Sequence, residues 1–386
     1  MKGITYLGSK GMYRNMKIGI WGYYGFDNLG DDLILDTMLS WIRDIDKTAE
    51  VSVFIKKDQE EQILKKNNIK RQEKRTISAA LKFAWNEADL FIIGGGGIFP
   101  SWTASRLMFY SMIAFIMKIK KKKCICLGVG VEEKNLLRKS NRFWLEILTR
   151  MVDSFTIREL KLREDDKIKP IKSEKYIQPT ADIVFSRFVK KLQKENKRFN
   201  IFLADIFDIF PDLDKEVFEK EIVEIVQQII SMGYEVYLIP FTNTKDQKFD
   251  DMICGKVNSK HCHSIEYSKD IDKITDEIAK GQFSLCMRFH AIVLSTIYDI
   301  PMCSISYGDK SSKLMARINM KEYNIDFGDN NGIQKKYINL DSKNVMKKIC
   351  MMIKDEKEIR EKLVKQSDIL KKESLENYYI LKEYME

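Results

Sequence analysis

Short apolar runs alternate along the chain with longer stretches in which apolar residues recur at helical spacing. Continuous apolar runs are typical of strands buried in a parallel sheet. They predict strands at 17–22, 51–55, 88–93, 123–130, 154–158, 200–204, 234–240 and 300–306. The stretches between them predict helices at 31–42, from 103, and at 141–151, 214–232, 245–257, 270–280 and 291–298. This alternation predicts the α/β class with parallel sheets.

The charged segment 187–198 has few apolar residues and no strand pattern, so we predict a linker there. It separates two Rossmann-like halves, at 16–186 and 199–335. Residues 1–15 contain basic residues and glycines but no apolar core, which indicates an N-terminal extension rather than a secretory signal. Residues 336–386 place apolar residues at helical spacing among many lysines and glutamates, which predicts C-terminal helices that pack back towards the first half.

The composition is that of a globular enzyme: of 386 residues, 44% are hydrophobic, and the net charge is +10. This modest charge favours anionic partners, but the lysines are spread along the chain and we predict no nucleic-acid partner. The seven cysteines are too scattered for a disulfide framework, so reduced thiols and a cytoplasmic location are expected. The composition predicts no particular oligomeric state.

The segment 286–310 carries the strongest chemical signal. Arg288 and His290 follow a short apolar run, so on a strand or its exit loop they would face the same side. Tyr307 and Lys310 follow the next predicted strand. Because open α/β sheets bind ligands at the carboxyl ends of their strands, these side chains should converge on one crevice. Permanent cations beside a histidine indicate a pocket for a small multivalent anion that undergoes acid–base chemistry.

Two glycine-rich turns form further candidate sites. The turn at 22–31 places Asn28 and Asp31 at a helix N-terminus, where negative charge is favoured. An ordinary strand–turn–helix with Asp31 as its cap is the alternative. Gly94 to Gly97 bring the main chain close either to a ligand or to a packed helix. Neither turn has the dinucleotide or P-loop spacing, which disfavours a nicotinamide enzyme.

His261 and His263 flank Cys262 and suggest a metal cluster. No carboxylate or cysteine follows at ligand spacing, so we interpret the three residues as a polar surface turn and predict no metal site.

The longest apolar run, 107–117, is too short to span a bilayer. Five lysines follow it within 118–123. An apolar helix with such a basic end could lie on an anionic membrane, as a peripheral protein at its inner face. A core helix with a solvated lysine tail is the alternative that the pattern favours.

Five motifs, in order, resemble those of the polysaccharide pyruvyl transferase family. They are Phe26-Asp-Asn28-Leu-Gly30-Asp31, Gly94 to Gly97, Ile157-Arg158-Glu159, Ala181-Asp182, and Arg288-Phe-His290-Ala291 continuing through Pro301 to Tyr307-Gly-Asp-Lys310. The resemblance covers about residues 16–325. Each motif is loose alone, but together their order and spacing are fairly specific.

The resemblance implies two Rossmann-like domains facing each other across a cleft, as in GT-B glycosyltransferases, with the acceptor on the first and phosphoenolpyruvate on the second. It implies transfer of a pyruvyl group from phosphoenolpyruvate to sugar hydroxyls of a cell-surface polysaccharide or its precursor, as a ketal and without a cofactor. The implied catalytic residues are Arg158, His290 and Lys310. The implied substrate-binding residues are Asn28, Gly30, Asp31, Gly95, Gly96, Gly97, Arg288 and Tyr307.

The residue chemistry agrees with this assignment. Phosphoenolpyruvate carries a carboxylate and a phosphate on three carbons, so it needs cations from more than one direction. A single imidazole could deliver and retrieve the protons. The chain departs from the family where Gly308 and Asp309 replace the usual proline, which would loosen the loop that holds Lys310. The acceptor would be a glycan or a lipid-linked saccharide, and the candidates for binding it are Asn28, Tyr23, Tyr24, Trp102 and Arg106.

Two other functions remain open at this stage. A GT-B-type glycosyltransferase would need a nucleotide sugar and usually an acidic residue for the ribose, and we find no convincing one. A non-catalytic glycan- or anion-binding relative would lack one of the three charged residues, and all three are present.

Overall fold

The computed structural model of the protein describes residues 15–56, 61–69, 71–97, 103–131, 133–161, 169–190, 192–329, 336–337 and 339–386. The predicted extension at 1–15 lies outside the described residues, except for Asn15. Two parallel sheets organise the described chain, so the prediction of the α/β class is confirmed. The domain limits and the linker at 187–198 stay predictions.

The first sheet contains β1 (Lys17–Trp21), β2 (Glu50–Ile55), β3 (Arg71–Lys74), β4 (Leu90–Gly96), β5 (Lys123–Val129), β6 (Ser154–Ile157) and β7 (Ile177–Pro179). The strands are parallel in the order β3-β2-β1-β4-β5-β6-β7. They are connected by α1 (Leu29–Ile45), α2 (Glu61–Lys66), α3 (Ile77–Asn86), α4 (Ala104–Ile119), α5 (Lys139–Met151) and the 3-10 helices Glu133–Leu137, Glu174–Tyr176 and Ile183–Ser186.

The second sheet contains β8 (Arg198–Phe202), β9 (Glu235–Leu238), β10 (Cys262–Ser264), β11 (Phe283–Cys286), β12 (Met302–Ser306) and β13 (Asn324–Asp326). Its parallel order is β10-β9-β8-β11-β12-β13. Its helices are α6 (Lys215–Ser231), α7 (Asp246–Val257), α8 (Ile271–Ala279), α9 (Phe289–Ile297), α10 (Asp309–Arg317) and the 3-10 helix Lys321–Tyr323. A short antiparallel pair, β14 (Gly328–Asp329) and β15 (Lys336–Tyr337), follows.

The two faces of the first sheet belong to different cores, because successive strand residues point to opposite faces. Ile18 and Ile20 of β1 pack on the side that holds α1, and this core continues into the second sheet. Trp21 of β1 packs on the other side with aromatic residues of β2 and α4, such as Phe54 and Phe109. The helices α3, α4 and α5 therefore cover the face with the separate core.

The chain ends in α11 (Ser342–Lys354) and α12 (Glu356–Met385), which confirms the predicted C-terminal helices. The last of them packs on the first sheet. The Ser374 hydroxyl donates to the Ile183 carbonyl at 3.0 Å, and the Asn377 amide donates to the Thr180 hydroxyl at 3.1 Å. These contacts fasten the short 3-10 helix Ile183–Ser186, whose N-cap Asp182 contributes to the site below.

The prediction that Asp31 caps the first helix is wrong. The helix begins at Leu29, and the Asn28 side chain accepts the Gly30 N–H at 3.1 Å. The Leu29 N–H is bonded to the Phe241 carbonyl after β9 at 2.9 Å. This N-terminus is therefore held against the second sheet, and Asp31 lies in the first helical turn, where its carboxylate is favoured by the helix dipole.

Candidate active site

A cleft of about 710 Å³ lies between the two sheets, at the carboxyl ends of their strands. Arg158, which directly follows β6, lines it from the first sheet. His290 in the first turn of α9 and Lys310 in the first turn of α10 line it from the second sheet. Asn28 and Asp31 line it at the N-terminus of α1. The structure thus brings all three predicted catalytic residues into one cleft.

A buried carboxylate joins two of these residues. Asp182 accepts from Arg158 Nη1 at 2.8 Å, and its Oδ2 lies 3.5 Å from His290 Nε2. The latter distance is long for a hydrogen bond. Asp182 caps the 3-10 helix Ile183–Ser186 and accepts the Val184 N–H at 3.0 Å. The sequence contains the Ala181-Asp182 motif but predicts no role for Asp182, because nothing in it shows that this carboxylate faces Arg158 and His290.

The charges of this cluster follow from its burial. Burial lowers the pKa of His290 and outweighs the opposing effect of Asp182, while Arg158 and Lys310 lower that pKa further. The imidazole is therefore neutral near pH 7. Burial alone would raise the pKa of Asp182, but His290 and Arg158 hold it well below its usual range. Because the imidazole is neutral, Arg158 is the charge that keeps Asp182 ionised at that pH.

The aromatic ring of Phe289 lies close to the cations of both Arg158 and Lys310. The Arg158 guanidinium lies 4.2 Å from the centroid of the Phe289 ring, and Lys310 Nζ lies 5.8 Å from the same centroid. The ring packs edge-on against the His290 imidazole, with centroids 5.2 Å apart. The N-termini of α9 and α10 both reach this point, so their dipoles add to the attraction for an anion.

Glycines allow the catalytic side chains to lie close to the main chain. A Cβ at Gly30 would lie 2.0 Å from His290 Nδ1, and a Cβ at Gly130 would lie 2.6 Å from Arg158 Nη2. A Cβ at Gly96 would lie 2.7 Å from an oxygen of Asp31. The predicted substrate-binding role of Gly30 therefore has a second explanation, which is that the glycine makes room for the histidine.

We expect Gly30→Ala to reduce turnover by about a hundredfold, because displacing a catalytic group by about 1 Å can cost that much. Helix stability should not fall on account of propensity, since alanine favours a helix interior by about 1 kcal/mol relative to glycine. Gly255→Ala is the matched control, because it also lies in a helix and its Cβ would meet nothing within 4 Å. Equal turnover in the two variants, measured as product formed per enzyme, would contradict the contact with His290.

The expected common face of Arg288 and His290 is wrong. Neither residue lies on a strand: Arg288 precedes α9 as its N-cap, and His290 lies within the helix. Arg288 Nε donates to Asp246 Oδ2 at 2.9 Å, and its Nη1 lies 3.4 Å from the Tyr307 hydroxyl. Asp246 also accepts the Phe241 N–H. Arg288 and Tyr307 therefore brace the loop that holds the start of α1, and neither lines the cleft.

The other predicted glycines differ in position. Gly97 lines the cleft. Gly95 and Gly96 have φ angles of +76° and +72°, and a Cβ on Gly95 would lie 2.1 Å from Ile34 of α1. These two glycines thus serve the close packing of α1 on β4. Tyr24, a candidate for the acceptor, is fully buried and donates to the Gly94 carbonyl at 2.6 Å, so it belongs to the core.

The wall of the cleft on the first sheet is aromatic and basic. Tyr23 and Phe26 stack with their ring centroids 4.0 Å apart. The Arg75 guanidinium lies over Trp21 at 4.8 Å and over Phe26 at 5.3 Å, and its Nε donates to the Gly22 carbonyl at 3.0 Å. Among the described residues, no carboxylate forms an ion pair with Arg75. Arg75 precedes α3 without any motif, so nothing in the sequence predicts its place in the cleft.

Arg106 also lines this wall, as expected for an acceptor residue, at the start of α4. Trp102, another candidate, lies outside the described residues. Tyr23 is 42% exposed and lines the cleft. Stacked aromatic rings beside guanidinium groups suit the apolar face of a sugar ring and its polar substituents.

The histidine pair lies elsewhere. Residues 262–264 form β10, so the predicted turn at this point is wrong. Glu235 of the neighbouring β9 contacts His261 Nδ1 at 2.7 Å and His263 Nε2 at 2.9 Å. Within the parts of the chain that the structure describes, no group of three or more His, Cys, Asp or Glu side chains could hold a metal ion. None of the described helices is both long enough and apolar enough to cross a membrane.

The family model of polysaccharide pyruvyl transferases matches residues 28–309 of the chain. The match spans more than half of the chain, includes Arg158, Asp182 and His290, and ends one residue before Lys310. No curated protein sequence matches the chain.

Among solved structures, the chain is similar to S. aureus MnaA in its co-structure with UDP, with 11% identity, 95% of each chain covered and a TM-score of 0.59. It is also similar to the UDP-GlcNAc 2-epimerase from Neisseria meningitidis bound to UDP-GlcNAc, with 10% identity, 96% of this chain and 99% of that chain covered, and a TM-score of 0.58. It is similar as well to the spinosyn rhamnosyltransferase SpnG, with 7% identity, 92% of this chain and 96% of that chain covered, and a TM-score of 0.55. At these identities the likeness concerns the fold alone, and it confirms the predicted GT-B-like architecture.

Proposed function

The chain belongs to the polysaccharide pyruvyl transferase family, and from this premise we propose that it transfers the pyruvyl group of phosphoenolpyruvate to hydroxyls of a sugar, as a ketal. The observation that supports this most directly is the meeting of Arg158, His290 and Lys310 in one cleft around a single aromatic ring. The proposed donor is small and multiply charged, and these residues offer two cations and one titratable base within that space.

Arg158 and Lys310 would bind the carboxylate and phosphate of phosphoenolpyruvate. The guanidinium suits bidentate contact with either anion, whereas the lysine ammonium acts as a point charge. The contact with Asp182 already fixes the Arg158 side chain, so that side chain loses little conformational freedom when the donor binds. The helix N-termini behind His290 and Lys310 would add to the anion affinity.

His290 would act as the general acid. Its proton goes to the methylene carbon, which leaves positive charge at C2, where a sugar hydroxyl attacks and loses its own proton. Phosphate then departs with the C2–O electrons and takes up the proton of the first hydroxyl. A second hydroxyl of the same sugar attacks C2 and closes the ketal, and its proton returns to the neutral imidazole of His290. The imidazole is neutral in the empty cleft, and the charges of the bound donor would offset Arg158 and Lys310 and so raise its pKa. Binding of the donor would thereby favour the protonated form of His290, which is the form that acts as the general acid.

The acceptor, a glycan or lipid-linked saccharide, would lie on the first-sheet wall. Tyr23 and Phe26 offer stacked rings, and Asn28 and Asp31 line the same cleft, with Asp31 close enough to act electrostatically on both Tyr23 and Arg158. In this position the Asp31 carboxylate could accept a proton or hydrogen bond from the attacking hydroxyl. This arrangement supports the assignment of the first half to the acceptor.

The direct test is to incubate the purified protein with phosphoenolpyruvate and candidate saccharides and to measure phosphate release. The acceptor should gain the mass of pyruvate less one water, and no nucleotide should be required. Absence of product with every saccharide offered, together with turnover of a nucleotide sugar, would instead favour a GT-B-type glycosyltransferase. Binding of a glycan without turnover of either donor would favour the non-catalytic relative.

We expect Arg75→Gln to raise the KM for the acceptor by about ten- to hundredfold, because a hydrogen bond to a charged group contributes about 1.5–3 kcal/mol. The KM for phosphoenolpyruvate should change little, since Arg75 lies over Trp21 and Phe26, whereas Arg158 and Lys310 lie over Phe289. Arg150→Gln is the control, because it removes an exposed arginine that pairs with Glu146 on its own helix. A change in the KM for phosphoenolpyruvate alone would place Arg75 at the donor instead.

A further inference from the structure

One outer face of the first half exposes large apolar side chains in a row. Met108, Met112, Phe115 and Ile119 of α4 are each between 38% and 53% exposed. Their spacing of four, three and four residues places them on one stripe of the helix. The opposite side of α4 is buried against the sheet. The helix therefore has a second apolar face that covers no core.

Neighbouring helices widen this stripe. α4 packs between α3 and α5. α3 exposes Ile77 and Trp85, and α5 exposes Phe143, each at 50% or more. We name the exposed surface of α3, α4 and α5 the α4 face. Contiguous apolar surface of this kind marks an interaction site more often than scattered single residues do.

On α3 and α4 the charges of the α4 face have one sign, and the one acidic residue of α5, Glu146, pairs with Arg150 on the same helix. Neither α3 nor α4 contains an aspartate or glutamate, although the chain has 56 of them. Lys120 Nζ lies 5.2 Å from the Trp85 ring, so the C-terminal ends of the two helices meet. At this end Lys122 pairs with Asp89 and Lys123 with Asp153. Four other lysines, all of them exposed, pair with none of the described carboxylates, and these are Lys82, Lys118, Lys120 and Lys121.

We propose that the α4 face docks on the surface of a bilayer that contains anionic phospholipids. The apolar stripe would enter the boundary between head groups and acyl chains, and the lysines would contact the head groups. A second copy of the chain fits less well. A two-fold dimer through this face would give these lysines no acidic partner on α3 or α4 of the other copy, because neither helix contains an aspartate or glutamate. This inference does not depend on the reaction proposed above.

The docked orientation would bring the cleft to the membrane. Ile77 at the start of α3 and Arg106 at the start of α4 both line the cleft. α4 has 16 residues, so it is about 24 Å long. The apolar stripe thus extends from the cleft at one end to the lysines at the other. A saccharide anchored in the same bilayer would find the acceptor wall near the membrane surface.

The test is sedimentation of the full chain with vesicles of phosphatidylcholine, with and without phosphatidylglycerol. Binding should require phosphatidylglycerol and weaken in salt. Met112→Glu/Phe115→Glu should reduce the partition coefficient by at least about tenfold. Lys118→Gln/Lys121→Gln should reduce it by about thirtyfold. Val217→Glu/Val364→Glu, which changes exposed apolar residues of α6 and α12, is the matched control and should bind as the unchanged protein does.

Several results of this experiment would overturn the proposal or one part of it. No binding to anionic vesicles would overturn the proposal, as would equal loss in the control variant. Equal binding to vesicles with and without phosphatidylglycerol would overturn the role of the lysines. If light scattering instead shows a dimer that Met112→Glu/Phe115→Glu dissociates, while vesicles stay unbound, the face serves a second copy. Thermal unfolding midpoints of all variants should match, because the changed side chains are exposed.

Discussion

Replacing His290 with glutamine should lower kcat by about 10²–10⁴-fold and leave the affinity for phosphoenolpyruvate nearly unchanged. The reason is that the imidazole moves protons, while Arg158 and Lys310 supply the charge that holds the donor. Glutamine is close in size and can still reach Asp182, so the buried cluster should keep its packing. The measurement is phosphate release under saturating donor and acceptor, paired with calorimetry of phosphoenolpyruvate binding.

Two results would separate the roles in this prediction. Full turnover in His290→Gln would remove the acid–base assignment. A loss of donor affinity as large as the loss of kcat would mean that the imidazole binds the donor rather than moving a proton. His261→Gln serves as the control, because His261 lies on the far edge of the second sheet beside Glu235.

The pH dependence should follow the two states of His290. Burial, together with Arg158 and Lys310, lowers the pKa of the imidazole in the empty cleft, against the effect of Asp182. A general acid must be protonated, so activity falls as pH rises through its pKa. The decline of activity at high pH should therefore occur at a lower pH for kcat/KM than for kcat. The reason is that kcat/KM reports the free enzyme, whereas kcat reports the complex. Asp182→Asn should move the decline of kcat/KM to a still lower pH, because it removes the charge that opposes the shift.

The sequence predicted the fold class because the strands of both sheet centres are continuous apolar runs. β1, β4 and β5 are examples, and nearly all of their residues are buried. All four edge strands of the two parallel sheets, β3, β7, β10 and β13, were missed. They are short and carry polar residues, since an edge strand has water on one side. Their placement depends on pairing with β2, β6, β9 and β12, which local sequence does not show.

Part of the candidate site could also be predicted from the pattern of strands along the chain. Arg158, His290 and Lys310 each follow a strand, so their position at the carboxyl edge could be inferred from order alone. The separation of Arg288 from His290 could not, because a helix rather than a strand begins between them and turns successive side chains by about 100°. Asp182 and Arg75 take their roles from contacts across the fold, which only the three-dimensional arrangement defines.

Arg158→Met should be the most disruptive single change in the site. Arg158 and Asp182 are 4% and 2% exposed, so removing the arginine leaves a buried carboxylate without its cation. Breaking such a pair costs about 3–5 kcal/mol of unfolding free energy. Donor affinity should fall as well, by about ten- to hundredfold, through loss of a charge-assisted contact. Urea unfolding without ligand and calorimetry with phosphoenolpyruvate measure the two effects separately.

Two further variants show which effect belongs to which role. Arg158→Met/Asp182→Asn removes the Asp182 charge together with its cation, and Glu159, which lies 3.5 Å from Arg158, still accepts the Val131 N–H. Much of the stability should therefore return. Donor binding should stay weak, because the cation is still missing. Lys310→Met should weaken donor binding with little change in unfolding free energy, since Lys310 is only half-buried on the first turn of α10. If the double variant recovers donor affinity along with stability, Arg158 serves the fold alone, and the phosphoenolpyruvate site must be sought elsewhere in the cleft.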